Sequence, residues 1–106
     1  MLLVRDLMYC KPGKVRPLVE KFLKMNEIGK KMGMPAPKVM TDLCAERFWT
    51  VVAEFEVESL EAFEKMFSSS SMEGQDPDLL RQFEEAMKGY HDLVDHGRRE
   101  IYKLEG

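Results

Sequence analysis

The sequence predicts a single α+β domain in which strands and helices follow the order βαββαβ. Three observations support this prediction: an alternating apolar segment over Arg47–Val57, two stretches with apolar residues at helical spacing, and turn-forming residues between these segments. A chain of 106 residues is the usual size of one domain, so we expect residues 1–106 to form one. With 44% hydrophobic and 33% charged residues, the composition is that of a folded protein with one core.

The segment Arg47–Val57 is the predicted central strand, because its side chains alternate with a period of two. Its odd positions are all apolar, and we expect that face to be buried: Trp49, Val51, Ala53, Phe55 and Val57. Its even positions are mixed: Phe48, Thr50, Val52, Glu54 and Glu56. A mixed second face is typical of a strand whose other side meets a partner.

The N-terminal half predicts a strand, a helix and a second strand. Leu2–Tyr9 mixes apolar residues with single charges and is followed by a Pro-Gly turn. From Val15 to Met32, apolar residues recur three and four positions apart, which indicates an amphipathic helix that ends at Gly33. Lys38–Ala45 predicts an edge strand, and the link Ala45–Glu46 then implies a hairpin into the central strand.

The C-terminal half predicts a broken helix and a last strand. Ser59 suits a helix N-cap, and Ser68–Ser71 breaks that helix. Asp76–Asp78 restarts it, and helical spacing continues to Val94, before a strand over Arg98–Leu104. The first part of this broken helix would direct inward Leu60, Phe63, Met66 and Phe67.

This element order is the split pattern of ferredoxin-like folds. In that arrangement the first and third strands lie at the centre of a four-stranded antiparallel sheet, and the helices cover one face.

Composition also predicts what the chain does not bind. A net charge of -3 gives no general attraction to nucleic acid, and no apolar run approaches the length of a signal peptide or a membrane span. We therefore expect a cytoplasmic protein with no nucleic-acid or membrane partner. Cys10 and Cys44 lack metal or redox spacing and are expected to be ordinary free thiols.

A metal site is a weak alternative at the end of the last predicted helix. His91 with Asp95, and Asp92 with His96, are each four residues apart and would share a helix face. Two ligands make a poor site, and a polar helix end explains the same residues, so we predict no metal and no cofactor.

The layout resembles the dimeric α+β barrel superfamily, particularly its NIPSNAP-like and antibiotic-biosynthesis-monooxygenase-like branches. The similar features are the Lys11-Pro12-Gly13-Lys14 turn, the amphipathic first helix, the aromatic strand Phe48–Val52 and the closing segment Gly97–Tyr102. The resemblance implies a homodimer in which two sheets close an eight-stranded barrel, with a ligand cleft between each sheet and its helices. It places the Trp49 face toward the helices and makes the other face the interface, with candidates Phe48, Thr50 and Val52.

The resemblance also implies site residues. In cofactor-independent monooxygenases and haem-degrading enzymes of the superfamily, a Trp on the sheet and a His on the covering helix shape the site, which makes Trp49 and His91 the catalytic candidates. Haem is the corresponding alternative to a cofactor-free site. The asparagine that such enzymes carry on their first strand has no counterpart in Val4-Arg5-Asp6-Leu7. The pocket candidates are Trp49, Val51, Ala53, Phe22, Met87, Tyr90 and His91.

Two functions follow as hypotheses. The first is a small-molecule-binding barrel protein, with a monooxygenase-like enzyme as its catalytic form and a small apolar or aromatic ligand. The alternative is a non-catalytic structural or regulatory homodimeric module.

Overall fold

The computed structural model describes residues 1–66 and 74–106. The elements, in chain order, are β1 (Leu2–Cys10), α1 (Val15–Lys31), β2 (Lys38–Thr41), β3 (Thr50–Val57), α2 (Leu60–Met66), α3 (Pro77–Met87), α4 (Tyr90–Leu93) and β4 (Val94–Lys103). The predicted inward residue Phe67 and the predicted break at Ser68–Ser71 lie outside the described residues.

The four strands form one antiparallel sheet in the order β2-β3-β1-β4, which confirms the ferredoxin-like prediction and its central first and third strands. Residues directly opposite in an antiparallel pair share a face of the sheet. Asp6 in β1 lies opposite Ala53 in β3 on one side and opposite Arg99 in β4 on the other. All three side chains are therefore on the same face.

The core lies between this face and the helices, in two clusters. Near the end of β1, Met8 and Val51 pack under Leu18 of α1. Toward the other end of α1, Ile28 packs with Ala86 of α3. Partly buried aromatic side chains border both clusters, and the partly buried Met25 and Met34 border the second. Within the described parts of the chain, no helix is long and apolar enough to span a membrane.

The loop before β3 corrects the predicted strand boundaries. Strand β3 begins at Thr50 rather than Arg47, because Trp49 has a φ of 61° and leaves the extended conformation. Strand β2 ends at Thr41, so residues 42–49 form a loop in place of the predicted link at Ala45–Glu46. The Asp42 backbone N–H still donates to the Thr50 carbonyl at 3.3 Å, but the Thr50 backbone N–H donates to a carboxylate oxygen of Asp42 at 2.9 Å instead of to a backbone carbonyl.

The C-terminal helix also differs from its prediction. Helix α3 ends at Met87, and Gly89 turns the chain with a φ of 83° into the short helix α4. Strand β4 then starts at Val94 rather than Arg98. The helical spacing that predicted one continuous helix to Val94 therefore spans a turn, a short helix and the start of a strand.

Candidate ligand-binding cavity

A cavity of about 590 Å³ lies between the sheet and the helices. This volume is within the range of small-molecule sites, roughly 300–1,000 Å³. Most of its described lining is apolar and rich in methionine, an adaptable side chain that suits irregular ligands. The lining comprises Asp6, Met8, Phe22, Met25, Asn26, Gly29, Met34, Pro35, Pro37, Val39, Ala53, Phe55, Met66, Phe83, Met87, Tyr90 and Arg99.

Two small residues help to keep the cavity open. Ala53 is at the centre of the sheet floor, where its methyl group lies between the opposite residues Asp6 and Val39. Gly29 forms part of the α1 wall and has no side chain.

The α1–β2 connection is held in place because the Asn26 side-chain amide donates to the Pro37 carbonyl at 2.9 Å.

The polar part of the lining is a cross-strand ion pair. Arg99 Nε donates to Asp6 Oδ1 at 2.6 Å, and Arg99 Nη2 donates to Asp6 Oδ2 at 3.0 Å. This two-point geometry fixes both side chains, and the guanidinium carbon also lies 5.1 Å from the ring centroid of Phe63. The hydrogen bond to Asp6 raises the pKa of the Arg99 guanidinium, so this group stays charged.

Tyr90 adds a neutral hydroxyl to the same lining. The turn at Gly89 directs its ring toward α1, where it lies 6.2 Å from the ring of Phe22, measured between centroids. Burial raises the pKa of the Tyr90 hydroxyl, and the nearby charge of Asp6 adds to the shift. Tyr90 therefore remains protonated at neutral pH and has both donor and acceptor capacity.

Four of the predicted pocket residues lie in the cavity wall: Phe22, Ala53, Met87 and Tyr90. Val51 faces the helices but is fully buried in the core beneath α1. Trp49 is in the loop before β3, is 44% exposed and is not part of the described lining.

His91 does not reach the cavity either. It is exposed, and its ring lies against Tyr90 with centroids 5.3 Å apart. The two His–Asp pairs of the metal alternative do not lie on one helix, because the chain enters β4 at Val94 and four-residue spacing no longer places both side chains on one helix face. His96 instead contacts Asp95 at 2.8 Å and Arg47 at 2.8 Å. The described residues contain no group of three or more His, Cys, Asp or Glu arranged to hold a metal ion.

The two charged residues of the cavity, Asp6 and Arg99, are not among the site residues that the sequence predicts. In the sequence, Asp6 is a single charge in a predicted strand whose alternation does not show which face is buried. Arg99 is one of two adjacent arginines. The available signal is strand alternation: Arg98 and Arg99 point to opposite faces, and only Arg99 shares a face with Asp6. Using that signal requires the pairing register between β1 and β4, which the sequence does not contain explicitly.

The face of the sheet opposite the helices, called the open face below, carries only some of the predicted interface residues. Val52 is half-buried on this face, between Leu7 of β1 and Met40 of β2. Thr50 is only 3% exposed within the single chain, and its hydroxyl donates to the Arg47 carbonyl. Phe48 is 85% exposed but belongs to the loop rather than to the strand.

The fold is similar to that of several solved structures. One NIPSNAP domain protein from Burkholderia xenovorans has 12% sequence identity and a TM-score of 0.70, and the match covers 100% of this chain and 96% of that chain. A NIPSNAP family protein from Agrobacterium tumefaciens has 10% identity and a TM-score of 0.69 over 97% of this chain and 92% of that chain. An antibiotic biosynthesis monooxygenase has 12% identity and a TM-score of 0.65 over 100% of both chains.

At these identities the similarity establishes the fold, and it confirms at that level the resemblance drawn from the layout of the sequence. No protein-family model matches the chain, and no curated protein is similar to it in sequence.

Proposed function

We propose that this chain is one subunit of a homodimer that binds a small apolar or aromatic molecule in the cavity between its sheet and its helices. The observation that carries the proposal is the cavity itself: about 590 Å³, lined mainly by apolar side chains, with an ion pair and a tyrosine hydroxyl in its wall. Sites for small molecules have this combination of apolar lining and few, fixed polar groups.

The proposal is one of binding, and it needs neither a metal nor a cofactor. Trp49 and His91, the catalytic candidates that the resemblance implied, are outside the described lining, so neither the monooxygenase hypothesis nor a haem site has its expected residues at the cavity.

The homodimer accounts for the open face of the sheet. Leu3, Leu7 and Val52 lie on this face together with the ion pair of Arg5 and Glu54, whose charged atoms are 3.0 Å apart. A second copy would cover the apolar residues with the same surface, as in the commonest oligomer symmetry.

Filling the cavity tests the proposal. The variant Ala53→Leu places a larger side chain at the centre of the sheet floor, where it would occupy the space a ligand needs. We expect the purified protein to bind the neutral dye Nile red with a fluorescence increase, and Ala53→Leu to weaken this binding by about tenfold or more, which is about 1.4 kcal/mol. Dye titration measures the effect directly.

The matched control is Ala45→Leu, the same substitution at an exposed loop position. It should bind the dye as the unmodified protein does. If Ala53→Leu and Ala45→Leu bind alike while both remain folded, the dye is not in the cavity, and the non-catalytic association module becomes the better account.

A further inference from the structure

We propose that the cavity selects electrically neutral ligands that carry a hydrogen-bond donor, and that the carboxylate of Asp6 accepts the hydrogen bond from that donor. This inference rests on the proposed function and adds to it the charge and polarity of the ligand.

The charges in the described part of the cavity wall are balanced. Among the described lining residues, Asp6 and Arg99 are the only charged side chains, and they neutralise each other. A ligand with a net charge would lose its hydration in an apolar cavity without meeting an opposite charge that is not already compensated. A neutral ligand does not carry this cost.

The Asp6 carboxylate has hydrogen-bonding capacity that Arg99 does not use. Each of its two carboxylate oxygens accepts one bond from Arg99, whereas an ionised carboxylate offers about four acceptor positions. The carboxylate borders the cavity, and the opposite residue on β3, Ala53, places only a methyl group beside it. A ligand hydroxyl or N–H group can therefore reach an acceptor that is already held in position.

The other polar groups of the described wall are Asn26, Arg99 and Tyr90. The Asn26 side-chain NH2 group donates to the Pro37 carbonyl, and the Arg99 guanidinium donates to Asp6 and lies 5.1 Å from the Phe63 ring centroid. Tyr90 is a neutral hydroxyl, so it can assist a neutral ligand but cannot compensate an ionic one. Among these described lining groups Asp6 is the negatively charged acceptor, and hydrogen bonds to an ionised group are the stronger ones.

A set of probes with one ring system tests this selectivity. The probes are 2-naphthol, a neutral donor; 2-methoxynaphthalene, neutral without a donor; 2-naphthoate, an anion; and 2-naphthylmethylammonium, a cation. We expect isothermal titration at neutral pH to show 2-naphthol binding most tightly. The dissociation constants of both ions should be larger by about tenfold or more, and that of the methyl ether larger by a smaller factor.

Variants of the ion pair should redirect the selectivity. Asp6→Asn removes one negative charge from the wall, so naphthoate should bind more tightly and 2-naphthol more weakly than in the unmodified protein. Arg99→Gln removes one positive charge and should favour the cation instead. The double variant Asp6→Asn/Arg99→Gln restores a neutral wall and should again disfavour both ions, whereas a purely structural role for the pair would not reverse an ion preference.

The outcomes separate this inference from the proposed function. If neither Nile red nor any naphthalene probe binds the folded protein, both are wrong. If the dye binds in the cavity but 2-naphthoate binds as tightly as 2-naphthol, the proposed function stands and the inference is overturned. A folded Asp6→Asn variant with an unchanged ratio of naphthoate to naphthol affinity would also overturn it. If the variants do not fold, the probe affinities of the unmodified protein alone test the inference.

Discussion

Trp49 combines a large aromatic side chain with a backbone conformation that such residues rarely adopt. Its φ of 61° lies in the left-handed region, which costs a non-glycine residue roughly 1–2 kcal/mol. The conformation is held from two sides, because its carbonyl accepts from the Cys10 N–H at 2.8 Å and the next residue, Thr50, is bonded to the loop. The Trp49 residue is 44% exposed.

We therefore expect glycine to be better tolerated than alanine at this position. Trp49→Gly and Trp49→Ala both remove the indole, but only glycine adopts a positive φ without strain, so Trp49→Gly should be more stable by about 1 kcal/mol. Urea unfolding followed by circular dichroism measures the difference. If Trp49→Ala proved equally or more stable, the backbone conformation described here would be incorrect.

The role of Asp6 becomes evident only when its neighbours in the sheet are known. In the sequence it is one charge within an apolar strand; in the fold it lies between Ala53 and Arg99 on the face that meets the helices. The carboxylate is retained on this face because Arg99 compensates it at two points.

At the scale of elements, hydrophobic periodicity predicts the inward-facing side of an element correctly where one period covers the whole element. Helix α1 and the body of β3 follow their apolar spacing, which predicts the apolar side of each element. Phe22 and Ala53 lie on those sides, and both line the cavity. Helical spacing also predicts the inner side of the last helix for Met87 and Tyr90, and both line the cavity.

Patterns fail where local hydrogen bonding or a glycine overrides them. The alternation from Arg47 to Trp49 continues that of β3, yet Asp42 and Thr50 organise these residues into a loop. Gly89 likewise ends the helical path although the apolar spacing continues beyond it. Asp6 and Arg99 escape prediction for a different reason: a pair 93 residues apart in sequence depends on strand register.

At the scale of the whole molecule, the open sheet face predicts the assembly. Val52→Glu would place a charge beside Leu7 and Met40 at the centre of this face. If a second copy buries an interface of about 1,600 Å² there, the variant should dissociate the dimer and lower the melting temperature, since an unpaired buried charge is strongly unfavourable. Sedimentation equilibrium should change from twice the chain mass to the chain mass.

The control for this prediction is Leu23→Glu, the same type of change at an exposed position of α1. It should leave the mass at two chains. A folded monomer at micromolar concentration in the unmodified protein, or a Val52→Glu variant with unaltered mass and melting temperature, would contradict the homodimer.

The central claim is that the cavity holds a ligand, and the methionine methyl groups report on it directly. Five methionines line the described cavity wall, Met8, Met25, Met34, Met66 and Met87, whereas Met1 and Met40 lie outside it. In a protein with ¹³C-labelled methionine methyl groups, titration with 2-naphthol should shift the resonances of the cavity methionines in a saturable manner, because the bound ring lies close to them, and should leave those of Met1 and Met40 in place. Unchanged cavity resonances, or shifts confined to Met1 and Met40, would contradict the account.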